Sequence, residues 1–232
     1  MRQLAAAVAP SAGKGSRMGG SVKKTYIELK GRPLAAHTLE ALAASPLLGE
    51  IVWVAAEEDA ERCRALLEEW GLDSRFKVAA GGASRQESVY RGLLALTSDA
   101  PYVLIHDGAR PCVATETIRR CLEAAEKHGA ALAAVPVKDA LWSADADGHI
   151  GASVARGGLW RAQTPQAFQR ELIVQAHEAA RRNGFEASDD AALALRFGVP
   201  PKIVLGDERN VKATTPDDLA LIERILSARK GG

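Results

Sequence analysis

Six apolar runs of strand length punctuate the chain: "LAAAVAP" (4–10), "IVWVAA" (51–56), "FKVAAG" (76–81), "YVLIHD" (102–107), "ALAAVPV" (131–137) and "KIVLG" (202–206). They are continuous rather than alternating, which predicts strands covered on both faces. Amphipathic stretches between them predict helices at about 34–45, 58–70, 84–96 and 169–183. A further helix opens at Thr115 as its cap, carries Ile118, Cys121, Leu122 and Ala125 on one face and stops at Gly129. Thr215 and Pro216 open the last, with Leu219, Ile222 and Leu226 facing inward. This alternation implies an α/β sandwich, a mostly parallel sheet between helices. Ligands in such folds gather at the carboxyl ends of strands. The loops 10–20, 81–88, 107–111 and 206–212 all fall at such ends.

Residues 138–160, "KDALWSADADGHIGASVARGGLW", break the rhythm. Short alternating segments flank Asp147-Gly148, which predicts a hairpin tip. An inserted hairpin serves as a lid, as a dimerisation arm or as a plain surface excursion. With no internal repeat and no linker, 1–232 reads as a single domain.

Net charge narrows the partners. Thirty basic and 29 acidic side chains leave +1, which argues against a broad nucleic-acid surface. Cys63, Cys112 and Cys121 have no metal-type spacing, and their odd number suggests reduced thiols and a cytoplasmic home. No apolar run approaches the roughly 20 residues of a membrane span. The start of the chain reads as a first strand rather than a secretory leader.

The candidate chemistry sits in the loops. "PSAGKGSRM" (10–18) follows the first predicted strand. It is not a Walker A loop, because Gly15 follows Lys14 where Ser or Thr should stand. The dinucleotide fingerprint also fails, since its third glycine would fall at Met18. Backbone N–H groups around Gly13 and Gly15, with Lys14, Arg17, Lys23 and Lys24, favour phosphate binding over a solvated basic loop. In "HDGAR" (106–110), Asp107 is either a Mg²⁺ ligand or the acid of a structural pair with Arg110. His106 reads as a packing or hydrogen-bonding residue. In "GGASRQESV" (81–89), paired glycines would let a flat base approach, with Ser88 in reach, or simply form a tight turn before a capped helix. "QTPQAF" (163–168) and "GDERNVKATTPDDL" (206–219) complete the set, and Lys212 by itself could be an ordinary surface lysine. There is no Ser–His–Asp order, no carboxylate pair of the glycosidase kind and no C-x-x-C. The shared theme is phosphoryl or nucleotidyl transfer with one metal, chemistry that needs positioning and charge neutralisation more than a reactive side chain.

In combination, "AGKGSRM", "GGASRQESV", "HDGARP", "LWRAQTPQAF", "SDDA" and "NVKATTPDDL" resemble the 2-C-methyl-D-erythritol 4-phosphate cytidylyltransferase family, from Leu4 to about Leu226. The resemblance implies a Rossmann-like nucleotidyltransferase fold with an inserted β-arm through which homodimers form. It implies transfer of CMP from CTP to methylerythritol phosphate with Mg²⁺, releasing pyrophosphate. Carried onto this chain, Pro10, Ser11, Ala12, Gly13, Gly15, Gly82 and Ser88 would bind the nucleotide, with Gly13, Gly15 and Arg17 on the β- and γ-phosphates. Lys24, Lys212 and Arg17 would be catalytic, and Asp107 would hold Mg²⁺. Arg110, Ser188 and Lys212 would face the acceptor, and Arg156 would reach the partner subunit's acceptor from the arm.

The chain departs from the family pattern at several positions. Lys23 stands for a usual proline, Ala83 for a frequent aspartate, Ala140 for a frequent arm threonine, Ser188 for a threonine and Leu195 for a glutamate. Two rival functions remain: CMP transfer to ribitol 5-phosphate on the same fold, and a nucleotide-binding regulator without turnover. Lys24, Asp107 and Lys212 together count against the second, since binding alone would not require all three.

Overall fold

The computed structural model describes residues 4–13, 23–72 and 74–229. Strands β1 (Ala5–Pro10), β4 (Leu48–Ala55), β5 (Phe76–Ala80), β6 (Tyr102–Ile105), β7 (Ala130–Pro136), β10 (Trp160–Gln169) and β11 (Lys202–Leu205) form one sheet, ordered β11-β7-β10-β6-β1-β4-β5. β10 runs antiparallel to both β6 and β7, and every other pairing is parallel. The carboxyl ends of β1, β5, β6 and β11 therefore share one edge, as their loops required. A small ribbon, β2 (Glu28–Leu29) with β3 (Arg32–Pro33), precedes α1 (Leu34–Ala43).

Both faces of the central strands are buried, which explains their continuous apolar runs; the edge strand β11 is the exception, with Ile203 and Leu205 exposed, so "KIVLG" is not covered on both faces as expected. Ala5, Ala7 and Ala9 of β1 face a core shared with Leu39 and Leu42 of α1, Leu67 of α2 (Ala60–Glu69) and Leu122 of α4 (Thr115–His128). Ala6 and Val8 face the opposite core, closed by Val89 and Leu93 of α3 (Arg85–Leu94), Ile173 of α5 (Arg170–Arg182) and Leu193 of α6 (Asp190–Arg196). The last helix, α7 (Pro216–Arg229), buries Ile222 against Leu34 and Cys112. Thr215 and Asp218 cap it reciprocally: the Thr215 hydroxyl accepts from the Asp218 N–H, and the Asp218 carboxylate accepts from the Thr215 N–H. α4 ends at Gly129 with φ +83°, as expected, but its N-cap is Ala114 and not Thr115, which is already helical and gives no side-chain cap.

Beyond the small β2–β3 ribbon, two larger elements differ from the sequence expectation. "LWRAQTPQAF" lies largely on β10, whose second half is buried in the sheet, and α6 is an unpredicted short helix after α5. Residues 141–154 form a separate antiparallel pair, β8 (Leu141–Ala144) with β9 (Ile150–Val154), and Gly148 takes a left-handed conformation at the turn. Among the described residues no helix is long and apolar enough to cross a membrane.

One buried carboxylate is structural. Glu50 on β4 accepts from the Thr97 and Ser98 N–H groups and from Lys77. Burial alone would raise its carboxyl, but Lys77 and those N–H groups outweigh it and bring it down to about 2. The unfolded chain then takes up the proton first as pH falls. This contribution to stability is full above pH 4.5 and is lost as pH falls toward about 2, an effect on the order of 3 kcal/mol. In urea denaturation at about pH 6 and about pH 3, wild type is expected to lose more stability than Glu50→Gln.

Candidate active site

The centre of the site is Asp107, in the loop that follows β6. Its placement comes from the backbone around it. The Gly108 N–H donates to the Pro10 carbonyl (3.0 Å), and the Thr38 hydroxyl donates to the Gly108 carbonyl (2.9 Å). A Cβ on Gly108 would displace the Ser11 hydroxyl and crowd the Pro10 carbonyl, so glycine here lets the β1 and β6 loops approach closely.

Three cations converge on the Asp107 carboxylate. Lys212 Nζ lies 2.6 Å from Oδ2, Arg85 reaches Oδ1 at 3.3 Å through two nitrogens, and Arg110 Nε is 3.8 Å from Oδ2. Burial would raise the Asp107 carboxyl; Arg85, Lys212 and Arg110 overcome it and hold the group far below the usual carboxylate range. Arg85 is braced from behind: its third guanidinium nitrogen is 2.8 Å from Asp190 Oδ2, whose other oxygen is 3.1 Å from His177 Nε2. Asp190 and His177 are buried.

The frame around Asp107 is built from polar side chains of β10 and the 206–215 loop. The Thr164 hydroxyl accepts from the Asp107 N–H (3.0 Å) and lies 3.1 Å from His106 Nδ1, while His106 Nε2 is 3.0 Å from the Arg110 carbonyl. Burial lowers His106 to about 4, so the ring is neutral near pH 7. Only an Nε2–H tautomer can then donate to the Arg110 carbonyl, so Nδ1 accepts from Thr164. His106 thus ties its own loop to β10 and is a hydrogen-bonding residue, as expected. Asn210 donates to the Thr164 carbonyl (2.6 Å) and receives the Arg110 guanidinium on its own carbonyl (2.8 Å). The Gln163 amide holds the Asp207 backbone.

Among the residues expected to bind the nucleotide, Pro10 ends β1 and the Ser11 N–H continues its ladder to Val54 (2.8 Å). Ser11 Oγ is buried with no hydrogen-bond partner among the described residues. Ala12 lies beneath Gly81, and Gly13 has open space around it. The Gly82 N–H donates to Ser88 Oγ (3.0 Å), and that hydroxyl donates to the Ser84 carbonyl (2.8 Å). Ser88 thus braces the glycine turn, and Ser84 caps α3 by accepting from the Glu87 N–H. Beside it, the Ala83 N–H is held by the Glu87 carboxylate (2.9 Å). Lys14, Gly15 and Arg17 lie outside the described residues.

The adjacent lysines are separated by their surroundings. Lys23 Nζ sits 2.6 Å from Glu58 and 2.7 Å from Asp59. Lys24 is the first residue of the short turn Lys24–Tyr26, and its charge is one of the smaller influences lowering Asp218 at the start of α7. Of the expected acceptor residues, Arg110 and Lys212 join the Asp107 group. Ser188 is exposed just before Asp189, the cap of α6. Arg156 is hydrogen-bonded at the base of the hairpin to the Lys138 carbonyl. Ala140 and Leu195 are exposed.

Sequence reasoning quoted Arg85 and Asp190 inside motifs but assigned neither a role, and it gave none to Thr164. Among the described residues no three His, Cys, Asp or Glu side chains gather as a metal cage. A lone strand-end carboxylate fits a different case, a hard divalent cation that keeps its waters and arrives with substrate phosphates.

Residues 5–228 match the family model described as 2-C-methyl-D-erythritol 4-phosphate cytidylyltransferase. A protein of that name from Pelotomaculum thermopropionicum is 43% identical over 227 residues, 97% of this chain and 95% of the relative. Another from Thermosynechococcus vestitus is 46% identical over 222 residues, 95% and 94% of the two chains. The crystal structure of the Thermus thermophilus enzyme of that name superposes with a TM-score of 0.78 at 34% identity, covering 96% of this chain and 98% of that one. That of a 4-diphosphocytidyl-2C-methyl-D-erythritol synthase from Anaerococcus prevotii gives 0.83 at 28% identity, over 97% and 99%. The family model and the relatives cover nearly the whole chain in sequence and in fold, and the chain belongs to the 2-C-methyl-D-erythritol 4-phosphate cytidylyltransferase family.

Proposed function

We propose that this chain is a cytidylyltransferase that joins CMP from CTP to 2-C-methyl-D-erythritol 4-phosphate and releases pyrophosphate. The observation that carries this reading is the Asp107–Lys212 pair at the carboxyl edge of the sheet, in a chain that matches the family end to end. A phosphate oxygen of the acceptor attacks the α-phosphorus of CTP, and the bond to the β-phosphate oxygen breaks. The acceptor's second pKa near ~6 leaves it mostly dianionic near neutral pH, so no general base is required.

Two polyanions must then be held together, and cations do that work. Lys24 and Lys212 neutralise the α-phosphate as charge develops, with Arg17 and the Gly13–Gly15 backbone on the β- and γ-phosphates. Asp107 would hold Mg²⁺, which supplies Lewis-acid polarisation of the phosphoryl oxygens. Arg85 keeps the Asp107 carboxylate aimed. Pro10, Ser11, Ala12, Gly82 and Ser88 line the cytidine side, and Ser11 Oγ, buried and unpartnered among the described residues, is available to a ligand. Arg110 and Ser188 face the acceptor.

The hairpin supports a homodimer. Trp142, Ile150 and Val154 are exposed on it, and Trp160 is exposed at its base. Such apolar groups on a two-stranded ribbon favour cover by a second copy, which would bring Arg156 to the partner's acceptor. Sedimentation of a Trp142→Glu, Ile150→Glu variant is expected to show monomer where wild type sediments as dimer. Three buried free thiols fit a cytoplasmic setting. The activity itself is tested by product analysis: CTP, Mg²⁺ and methylerythritol phosphate should give equal amounts of pyrophosphate and the CDP-linked alcohol. Chelation of the metal should abolish both. Absence of the CDP-linked product would overturn the proposal.

A further inference from the structure

The segment that carries Lys24 is tied down on both sides. Before it, Lys23 Nζ contacts Glu58 Oε1 at 2.6 Å and Asp59 Oδ2 at 2.7 Å. After it, the Thr25 hydroxyl donates to the Ser11 carbonyl (3.2 Å), and the Tyr26 hydroxyl lies 3.3 Å from Cys63 Sγ. The Arg62 guanidinium covers the Tyr26 ring at 4.3 Å. Glu58, Asp59, Arg62 and Cys63 all belong to the start of α2 or the turn leading into it.

Asp59 adds an independent sign. It occupies the N-cap position of α2, where an aspartate ordinarily accepts from the helix N–H groups. Here its side chain makes no cap bond and is given to Lys23 instead. An exposed ion pair adds little to stability, and that is not the use to which this one is put. What it restricts is the backbone next to a residue that must meet a phosphorus centre.

We propose that Lys23, held by Asp59 and Glu58, is a positioning residue for Lys24. This rests on the reading of Lys24 as a transition-state cation. The lysine chain is flexible at its tip, so its reach is set by where its Cα is held. Loosening the latch lets Lys24 drift from the α-phosphate, and drift of about 1 Å is enough to slow such a reaction markedly. Because Lys24 acts on developing charge, the loss should fall on kcat more than on KM.

The test is steady-state kinetics on Lys23→Ala, Asp59→Asn, Lys23→Arg, Lys24→Ala and the double variant Lys23→Ala, Lys24→Ala. Lys23→Ala and Asp59→Asn are expected to lower kcat by about tenfold with KM for CTP within about twofold. Lys23→Arg, which keeps the pair, should restore most of it. In the Lys24→Ala background, removing Lys23 should cost nothing further. If Lys24→Ala is slow but Lys23→Ala keeps normal kcat, the latch is wrong and the role of Lys24 stands. If Lys23→Ala costs the same with and without Lys24, Lys23 acts on substrate directly and the positioning role is overturned. Normal turnover in Lys24→Ala would remove the reading beneath both.

Discussion

Lys212→Ala is expected to lower kcat by about 10²–10³, the size of losing one preorganised transition-state donor. The structure predicts that this loss comes with an intact fold. Lys212 is partly exposed, so truncating it opens no cavity. Its loop is pinned by other bonds: the Ala213 N–H to the Ala109 carbonyl (2.8 Å), the Asn210 amide to the Thr164 carbonyl, and Arg110 to the Asn210 carbonyl. Asp107 also retains Arg85 and Arg110. A thermal midpoint close to wild type alongside slow turnover is therefore expected. Near-normal kcat would remove Lys212 from the chemistry.

Asp107→Asn is expected to fail in both respects. Its buried carboxylate faces Arg85, Lys212 and Arg110, and Arg85 is shared with Asp190. Neutralising it takes the carboxylate from Lys212 and Arg110 and leaves Arg85 on Asp190 alone, a loss of about 1–3 kcal/mol. Turnover should fall by at least about 10² if, as proposed, Asp107 holds the metal. Binding of Mn²⁺ in the presence of CTP, read by electron paramagnetic resonance, should weaken in parallel. The contrast with Lys212→Ala is diagnostic: one variant is slow and stable, the other slow and unstable. An Asp107→Asn enzyme with wild-type stability would mean that the cations are not balanced by this carboxylate.

Much of the sheet could be read from sequence because buried parallel strands are apolar nearly throughout, as β1, β4, β6 and β7 show. β11 was legible from its apolar run although it is an exposed edge strand. β10 has no such run, and it was missed for a physical reason. Gln163, Thr164 and Gln166 are buried on it because they hold Asp207, Asp107 and the Asp189–Ala191 turn. Pro165, which argues against a central strand, sits where the register to β7 breaks between Ala162 and Gln166. α6 is only seven residues long, too short for periodicity, though "SDDA" offered a cap in Asp189. Asp107 and Lys212 were legible as strand-end residues, but their pairing across 105 positions was not. Arg85 left no local signal, since an arginine in the first turn of a helix is ordinary. Only the fold sets it between Asp107 and Asp190. The residues alone reached phosphate chemistry; base and acceptor came from the resemblance to a family, which the comparisons then established.

The acceptor is where function is most open to test. Pyrophosphate release should be measured with CTP and Mg²⁺, offering methylerythritol 4-phosphate and ribitol 5-phosphate separately. Cytidylyl transfer to methylerythritol phosphate predicts release with the first and none above background with the second. Release with ribitol 5-phosphate alone, or silence with both while CTP still binds, would contradict it.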